Sequence, residues 1–87
     1  MDYLDVMRAR EMMRFAHAGQ LYGKLPYMYH LDIVANFAQG MGFDEETIIV
    51  AYLHDSIEDG VLTYENISRE FGNSIADDVR VLARNKD

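Results

Sequence analysis

The chain has no cysteine, a single proline and no long apolar run. Without cysteine it has no disulfides and no thiolate metal ligands, so the redox compartment is unconstrained and the cytoplasm is the expected location. No apolar stretch approaches the ~20 residues that cross a bilayer, and the N-terminus lacks a signal-peptide pattern. We therefore expect no membrane partner.

Basic residues are also scarce. Lys and Arg together number 8 against 15 Asp and Glu, which gives a formal net charge of −7. This charge argues against nonspecific binding to a nucleic-acid backbone. If the substrate carries phosphates, an acidic protein needs a cation or a local basic patch to hold them, and this requirement favours a bound metal ion.

The length and the hydrophobic pattern predict one small all-α domain. A chain of 87 residues buries only roughly 60% of its unfolded surface. No stretch alternates with period two for long enough to indicate a strand, whereas apolar residues recur at helical spacing throughout. We expect about five helices.

The first two helices are predicted over residues 2–18 and from Pro26 to about Gln39. The predicted inward stripe of the first consists of Leu4, Met7, Phe15 and Ala18. The predicted inward stripe of the second consists of His30, Ile33, Val34 and Phe37. His30 is thus expected on an apolar face.

Three further helices follow. Asp44 is expected to cap the third helix, which carries the most apolar run of the chain and ends near Gly60. Thr63 is expected to cap a short fourth helix that stops at Gly72. The fifth begins at Asn73 or Ser74. The predicted inward residues of the last two helices are Tyr64, Ile67, Phe71, Ile75, Val79 and Leu82. The predicted outward residues of the fifth are Asp77, Asp78, Arg80 and Arg84.

Residues 48–60 combine an unbroken apolar run with a cluster of ionisable side chains. Positions 48–53 are apolar or aromatic throughout, which predicts a helix buried on all sides. Four ionisable residues follow directly: His54, Asp55, Glu58 and Asp59. Such groups at the end of a buried helix are costly unless they are paired, hydrogen-bonded or coordinating an ion. The segment therefore predicts a functional site.

A divalent metal ion is the first candidate for that site. His54 and Asp55 differ in direction by ~100° on a helix, so they cannot share a face but can converge on an ion beyond the helix end. His30 is the candidate third ligand. Two imidazoles and a carboxylate suit Mn²⁺, Fe²⁺, Co²⁺, Ni²⁺ or Zn²⁺ better than Mg²⁺ or Ca²⁺.

Glu58 and Asp59 lie four residues after His54 and Asp55, one helical turn further along. A general acid or base that acts on water at the ion would occupy such positions. The combination of metal ligands and nearby carboxylates is that of a phosphohydrolase.

Structural interpretations of the same residues stay open. A single buried histidine is more often a hydrogen-bonded core residue than a ligand, although the adjacent Asp55 favours the ligand interpretation for His54. Glu58 and Asp59 alone are equally typical of a solvated helix end. His17 is more typical of an exposed or capping residue at a helix C-terminus, with a role behind the metal ligands or facing the substrate as the alternative. The six methionines, Tyr27 and Tyr29 are typical of core and rim positions.

These residues belong to a series of short motifs along the chain: Phe15-Ala16-His17-Ala18-Gly19-Gln20, Pro26-Tyr27-x-x-His30, Leu53-His54-Asp55-x-x-Glu58-Asp59, Thr63-Tyr64 and Phe71-Gly72. The series resembles the hydrolase domain of RelA/SpoT-type proteins, within the HD superfamily of metal-dependent phosphohydrolases. Those enzymes remove the 3′-pyrophosphate from guanosine tetra- and pentaphosphate. The resemblance covers about residues 10–84.

The resemblance implies an all-α HD-domain helical array with a defined site. It implies that His30, His54 and Asp55 are the ligands of a Mn²⁺ ion. It also implies that Glu58 and Asp59 act on the attacking water and the leaving phosphate.

The resemblance further assigns the loop between Gln20 and Pro26 to nucleotide contact. Tyr22 and Lys24 are the substrate-binding candidates in this loop, and Lys24 is its only cation. The loop lacks the arginine of the long bifunctional enzymes and is similar to that of short, stand-alone HD hydrolases of bacteria and phages.

The family's fourth metal ligand is an Asp on a later helix, and Asp87 falls too early for that position. We therefore expect residues 1–87 to be the N-terminal part of an HD-type phosphohydrolase domain, or to complete their core with a neighbouring copy in a homo-oligomer. The leading hypothesis is hydrolysis of a nucleotide phosphate ester, with ppGpp as the leading substrate. The alternatives are a truncated or degenerate module that binds a nucleotide or a protein partner without turnover, and a nucleotidase or triphosphohydrolase of the same superfamily.

Overall fold

The computed structural model describes residues 3–84, except for the side chains of Tyr22 and Arg84. Within this range it has five α-helices and one short β-ladder. The helices are α1 (Tyr3–Ala16), α2 (Tyr27–Gly40), α3 (Glu45–Leu53), α4 (Tyr64–Phe71) and α5 (Asn73–Arg84). The strands are β1 (Leu21–Tyr22) and β2 (Leu25–Pro26), which pair antiparallel. The all-α prediction is confirmed. Strands of two residues are too short to show an alternating pattern, which explains why the sequence did not reveal them.

Helix α3 is the central element of the described fold. It packs against α1, α2 and α5, and α4 packs against α5. Four of its nine residues are buried: Ile48, Ile49, Tyr52 and Leu53. The prediction of a buried central helix is therefore confirmed. None of the described helices combines the length and the apolar character needed to cross a membrane.

The predicted caps of α3 and α4 are present. The Asp44 carboxylate accepts a hydrogen bond of 2.9 Å from the backbone N–H of Thr47, so it satisfies one of the free donors at the start of α3. Thr63 and Asn66 form a reciprocal pair in which each side chain accepts from the other's backbone N–H. These caps set where α3 and α4 begin.

The predicted inward face of α1 is wrong. Leu4 and Phe15 are 72% and 70% exposed, and Met7 and Ala18 are exposed as well. The buried residues of α1 are Val6, Ala9 and Met13. Helix α1 packs against α3, and the packing of the helices, not the size of the apolar side chains, decides which of them are buried. Asp2, which the sequence placed in this helix, lies outside the described residues.

The predicted inward faces of α2 and α5 are also wrong in part, for the same reason. The buried residues of α2 are Tyr27, Leu31, Ala35 and Ala38. Phe37 is 69% exposed, Ile33 is about half exposed and Val34 is half-buried.

On α5, Ile75 and Val79 are buried as expected, but Ala76 is buried in place of Leu82. The burial of Ile67 and Phe71 on α4 confirms the prediction there. The outward placement of Arg84 falls on a side chain outside the described residues.

Helix α3 ends at Leu53 and does not reach Gly60 as predicted. Residues 54–60 form consecutive turns instead. The backbone N–H of Ser56 donates to the carbonyl of Leu53, and that of Asp59 donates to the carbonyl of Asp55. Gly60 has a φ of +76°, which a residue with a side chain rarely adopts.

A polar network joins the three helices around the core. The Arg10 guanidinium on α1 donates two hydrogen bonds, of 3.0 and 3.1 Å, to the carboxylate of Asp32 on α2. The Tyr52 hydroxyl on α3 donates to the same carboxylate at 2.9 Å. The forked geometry of the Arg10–Asp32 pair is the strong form of ion pair, and Asp32 is its centre.

We expect Asp32→Ala to lower the free energy of unfolding by about 1–2 kcal/mol, because it leaves Arg10 and Tyr52 without their shared acceptor. Urea denaturation measures the change. Asp78→Ala, on the exposed face of α5, is the matched control and should change the value by less than about 0.5 kcal/mol. Equal losses in the two variants would contradict the assignment.

The same network predicts a pH dependence. Burial and the hydrogen bond to Asp32 raise the pKa of Tyr52 from its ordinary value of 10.0 to about 12. The Tyr52 hydroxyl therefore contributes its full stability below about pH 10 and loses it as the pH rises towards 12. We expect the difference in unfolding free energy between the parent chain and Tyr52→Phe to shrink over that interval. A difference that stays constant from pH 9 to pH 12 would argue against this network.

Candidate metal centre

Two histidines and one carboxylate converge where α2 meets the end of α3. His30 lies in the first turn of α2, and His54 and Asp55 directly follow α3. One ligand atom from each residue lies within 4.8 Å of the others. Ligand atoms bound about 2 Å from one ion stand roughly 3 to 4 Å apart, so the three atoms lie close to the spacing of a metal site. The structure thus brings together the three residues that the sequence placed at the ion.

The orientation of the His54 ring suits metal ligation. Its Nδ1 lies 2.6 Å from the carbonyl oxygen of Ala51. Because a carbonyl can only accept, Nδ1 carries a proton, and Nε2 is the nitrogen directed into the cluster. This Nε2 faces the Asp55 carboxylate at 3.2 Å, a contact that either a proton or a metal ion between the two atoms would stabilise. A carbonyl behind a ligating histidine is the usual arrangement at a metal site.

The burial of the cluster also fits a divalent ion. Asp55 is buried, whereas His30 and His54 are half-buried. The donor set is therefore shielded on one side and accessible on the other, as a catalytic site requires. Two nitrogen donors and one oxygen donor suit a first-row transition ion better than Mg²⁺ or Ca²⁺.

The hydroxyl of Tyr27 connects two carboxylates at this site. It donates to Asp55 at 2.8 Å and to Asp59 at 3.0 Å. Burial, together with these two hydrogen bonds, raises the pKa of Tyr27 far above its usual range. The phenol therefore remains a neutral donor at any physiological pH.

His17 lies directly behind Tyr27. Its ring stacks on the Tyr27 ring with centroids 4.0 Å apart and the planes within 1° of parallel. Nδ1 lies 3.1 Å from the carbonyl oxygen of Met13 at the end of α1, and Nε2 lies 3.4 Å from the Asp59 carboxylate. The contact with the Met13 carbonyl agrees with the expectation that His17 caps the end of α1. The expectation of exposure is wrong, because His17 is only 2% exposed.

The two acidic residues expected to move protons differ in their surroundings. Both lie on the turns after α3, not on a helix as predicted. The carboxylate of Asp59 contacts Tyr27 and His17, as described above. Glu58 is exposed on the same turn. Asp59 still lies one turn beyond Asp55, because its backbone N–H donates to the carbonyl of Asp55, although this turn does not belong to α3.

The loop assigned to nucleotide contact is the short β-hairpin. Lys24 is exposed at its tip, between β1 and β2. Tyr22 lies in β1, and its side chain lies outside the described residues. The second strand borders the metal cluster, because a shallow pocket is lined by Leu25, Pro26, Tyr29, His30 and Ile33.

The sequence analysis placed Tyr27 in the core or rim and gave His17 a role at the site only as the alternative. One signal was present for each. His17 continues the buried stripe of Val6, Ala9 and Met13 at helical spacing, and Tyr27 precedes His30 by three residues, on the same side of α2. Their mutual stacking depends on the hairpin that returns the chain, which no local pattern reveals.

Comparison with known proteins identifies the family. The model of the HD domain family matches residues 9–86, which is most of the chain. The chain belongs to the HD domain family. Members of this family bind divalent metal ions, in agreement with the histidine and carboxylate cluster.

Several curated relatives contain a similar HD domain. A guanosine-3′,5′-bis(diphosphate) 3′-pyrophosphohydrolase of Aquifex aeolicus is 40% identical over 75 residues, covering 83% of this chain and 10% of that protein. The bifunctional (p)ppGpp synthase/hydrolase SpoT of Escherichia coli is 39% identical over 72 residues, covering 82% of this chain and 10% of that protein. A probable GTP pyrophosphokinase of Mycobacterium leprae is 41% identical over 71 residues, covering 80% of this chain and 9% of that protein. The chain thus spans about a tenth of the length of these relatives. No solved structure matches it.

We expect this HD domain to bind one Mn²⁺ ion per chain, and His54→Ala to weaken binding at least about 100-fold because it removes the oriented Nε2 donor. Isothermal titration of the metal-stripped protein measures both. Asp78→Asn removes an exposed carboxylate on α5 and should leave the affinity unchanged. Unaltered binding in His54→Ala would place the ion elsewhere.

Proposed function

We propose that the chain is a metal-dependent phosphohydrolase that cleaves a phosphate ester of a nucleotide. The observation that carries the proposal is the convergence of His30, His54 and Asp55 at a site open on one side. The HD domain supplies the family context, and hydrolases are among its named relatives.

The metal ligands in this proposal are His30, His54 and Asp55, and the ion is Mn²⁺. A divalent ion held there supplies Lewis-acid activation of a water molecule and of the phosphoryl group. The hydrogen bond from His54 Nδ1 to Ala51 keeps the other ring nitrogen directed at the ion. Asp55 is buried and contributes the negative charge that a cation requires.

Proton transfer in this proposal falls to Glu58 and Asp59. Asp59 lies next to the site through its contacts with Tyr27 and His17, which suits a carboxylate that acts in a fixed position. Glu58 is exposed on the same turn and can reach a group that enters from solvent. One of the pair would accept a proton from the attacking water and the other would donate one to the leaving phosphate.

The leading substrate is guanosine 3′,5′-bis(diphosphate), cleaved at its 3′-pyrophosphate. Three features support a phosphorylated nucleotide of this kind: the names of the relatives, the cation of Lys24 at the hairpin tip, and the position of that hairpin beside His30. In this proposal Lys24 and Tyr22 contact the nucleotide. A nucleotidase or triphosphohydrolase activity is the alternative within the same chemistry.

We expect Mn²⁺-dependent release of pyrophosphate from ppGpp, with Glu58→Gln and Asp59→Asn lowering kcat by about 10²–10⁴-fold. Both variants should still bind Mn²⁺, because neither residue belongs to the ligand set. Glu65→Gln, an exposed residue in the first turn of α4, is the control and should retain full activity.

A panel of nucleotides decides the substrate class. The proposal requires a preference for a 3′-pyrophosphate over nucleoside monophosphates and triphosphates. Faster hydrolysis of a triphosphate would replace the alarmone assignment with the alternative activity.

A second candidate function is a module that binds a nucleotide or a protein partner without turnover. The favouring observation is that residues 3–84 bring three ligands to the cluster, His30, His54 and Asp55, where the RelA/SpoT-type resemblance implies a fourth. Nucleotide binding by the Mn²⁺-loaded protein, with no release of phosphate or pyrophosphate from any nucleotide tested, would establish this function instead.

A further inference from the structure

The Tyr27 hydroxyl occupies an unusual position for a core tyrosine. Its ring is buried in the core, and its oxygen lies within hydrogen-bond distance of two carboxylates from one turn, those of Asp55 and Asp59. Two carboxylates so close together repel each other, and a donor between them offsets that repulsion. A single acceptor would suffice to satisfy one hydroxyl. The second contact therefore needs a separate explanation.

The two carboxylates have different roles in the proposed function. Asp55 is a metal ligand and Asp59 is a proton-transfer group. A carboxylate has about four lone-pair sites, so Asp55 can accept from Tyr27 and still offer an oxygen to an ion. The hydroxyl thus fixes the position of one group relative to the other.

The Tyr27 ring is itself fixed by His17. The two rings lie face to face, and the His17 ring is held by the hydrogen bond from Nδ1 to the Met13 carbonyl. The remaining ring nitrogen reaches the carboxylate of Asp59, which Tyr27 also contacts. Rotation of either ring would break at least one of these contacts.

The backbone that brings the two rings together is built from the end of α1 and the hairpin. Gly19 turns the chain with a φ of +80°, and the backbone N–H of Gln20 donates to the carbonyl of His17. The hairpin then returns the chain so that the backbone N–H of Tyr27 donates to the carbonyl of Gln20 at 3.0 Å. His17, directly after α1, and Tyr27, the first residue of α2, are thereby held at a fixed separation.

We propose that His17 and Tyr27 are positioning residues, and that they hold the Asp55 and Asp59 carboxylates in the relative geometry that metal binding and proton transfer require. The inference rests on the proposed function for the roles of Asp55 and Asp59. The effect of His17 and Tyr27 on the positions of the two carboxylates does not depend on that function. Neither ring is required to touch the substrate or the ion.

Tyr27→Phe tests the proposal with minimal disturbance, because it keeps the stacked ring and removes only the hydroxyl. Carbon-13 NMR of the side-chain carboxyl groups, recorded without metal at one pH, reports on both carboxylates. We expect the resonances of Asp55 and Asp59 both to move in Tyr27→Phe. Tyr3→Phe removes an exposed hydroxyl from the first turn of α1, outside the site, and should move neither.

His17→Phe provides an independent test, because it keeps a flat ring against Tyr27 but lacks both nitrogens. His17 contacts Asp59 directly, whereas it reaches Asp55 only through Tyr27. We therefore expect the Asp59 resonance to move and the Asp55 resonance to stay nearly in place. Thermal unfolding of each variant identifies any general loss of structure.

The functional readout is the affinity for Mn²⁺, followed by steady-state kinetics. Loss of the partner behind a metal ligand typically costs 10–100-fold in affinity or activity, so we expect such a loss in Tyr27→Phe and none in Tyr3→Phe. We also expect kcat to fall in Tyr27→Phe with KM unchanged, because Tyr27 acts through the carboxylates.

Three results would overturn the positioning role. They are unmoved carboxyl resonances in Tyr27→Phe, moved resonances with unchanged Mn²⁺ affinity, and a rise in KM with constant kcat. A parent chain that binds Mn²⁺ but hydrolyses no nucleotide would overturn the proposed function alone, since resonances and affinity would still decide the inference. A parent chain that does not bind Mn²⁺ would overturn both the metal role and this inference.

Discussion

The turn that follows Leu53 is the constraint on which the site depends. Asp55 and Asp59 are four residues apart, and the backbone N–H of Asp59 donates to the carbonyl of Asp55, so the turns after α3 keep the spacing that places both side chains on one side. Both carboxylates therefore reach the same hydroxyl, that of Tyr27 at the start of α2.

The fold could be predicted from the sequence to the level of helix number, approximate bounds and caps. Asp44, Thr63 and Gly72 are local signals, and local signals suffice to begin or end a helix. The inward faces of α1 and α2 could not be predicted in this way. Burial there is decided by packing between helices, which buries Ala9 and Ala35 and leaves the larger Leu4 and Phe37 exposed.

The residues of the candidate site also differ in whether the sequence could predict them. His30, His54 and Asp55 could be found because residue type, spacing and the chemistry of an ion restrict the choice strongly. Tyr27 could not, and His17 only as an alternative, since their arrangement depends on a parallel stack between residues ten positions apart, one directly after α1 and the other at the start of α2. Each is individually typical of a core residue. Only the hydrogen bonds that their polar atoms make distinguish them from ordinary packing.

The large apolar side chains left outside the core have a consequence for how the protein behaves in solution. One row lies along the outer side of α2, at every fourth residue: Tyr29, Ile33, Phe37 and Met41. At neutral pH the net charge of −7 keeps molecules apart. As the pH approaches the isoelectric point of about 4.7, that repulsion vanishes while the apolar row remains. Self-association through this row therefore becomes more favourable as the solution is acidified, and added salt favours it at higher pH because salt screens the same charge.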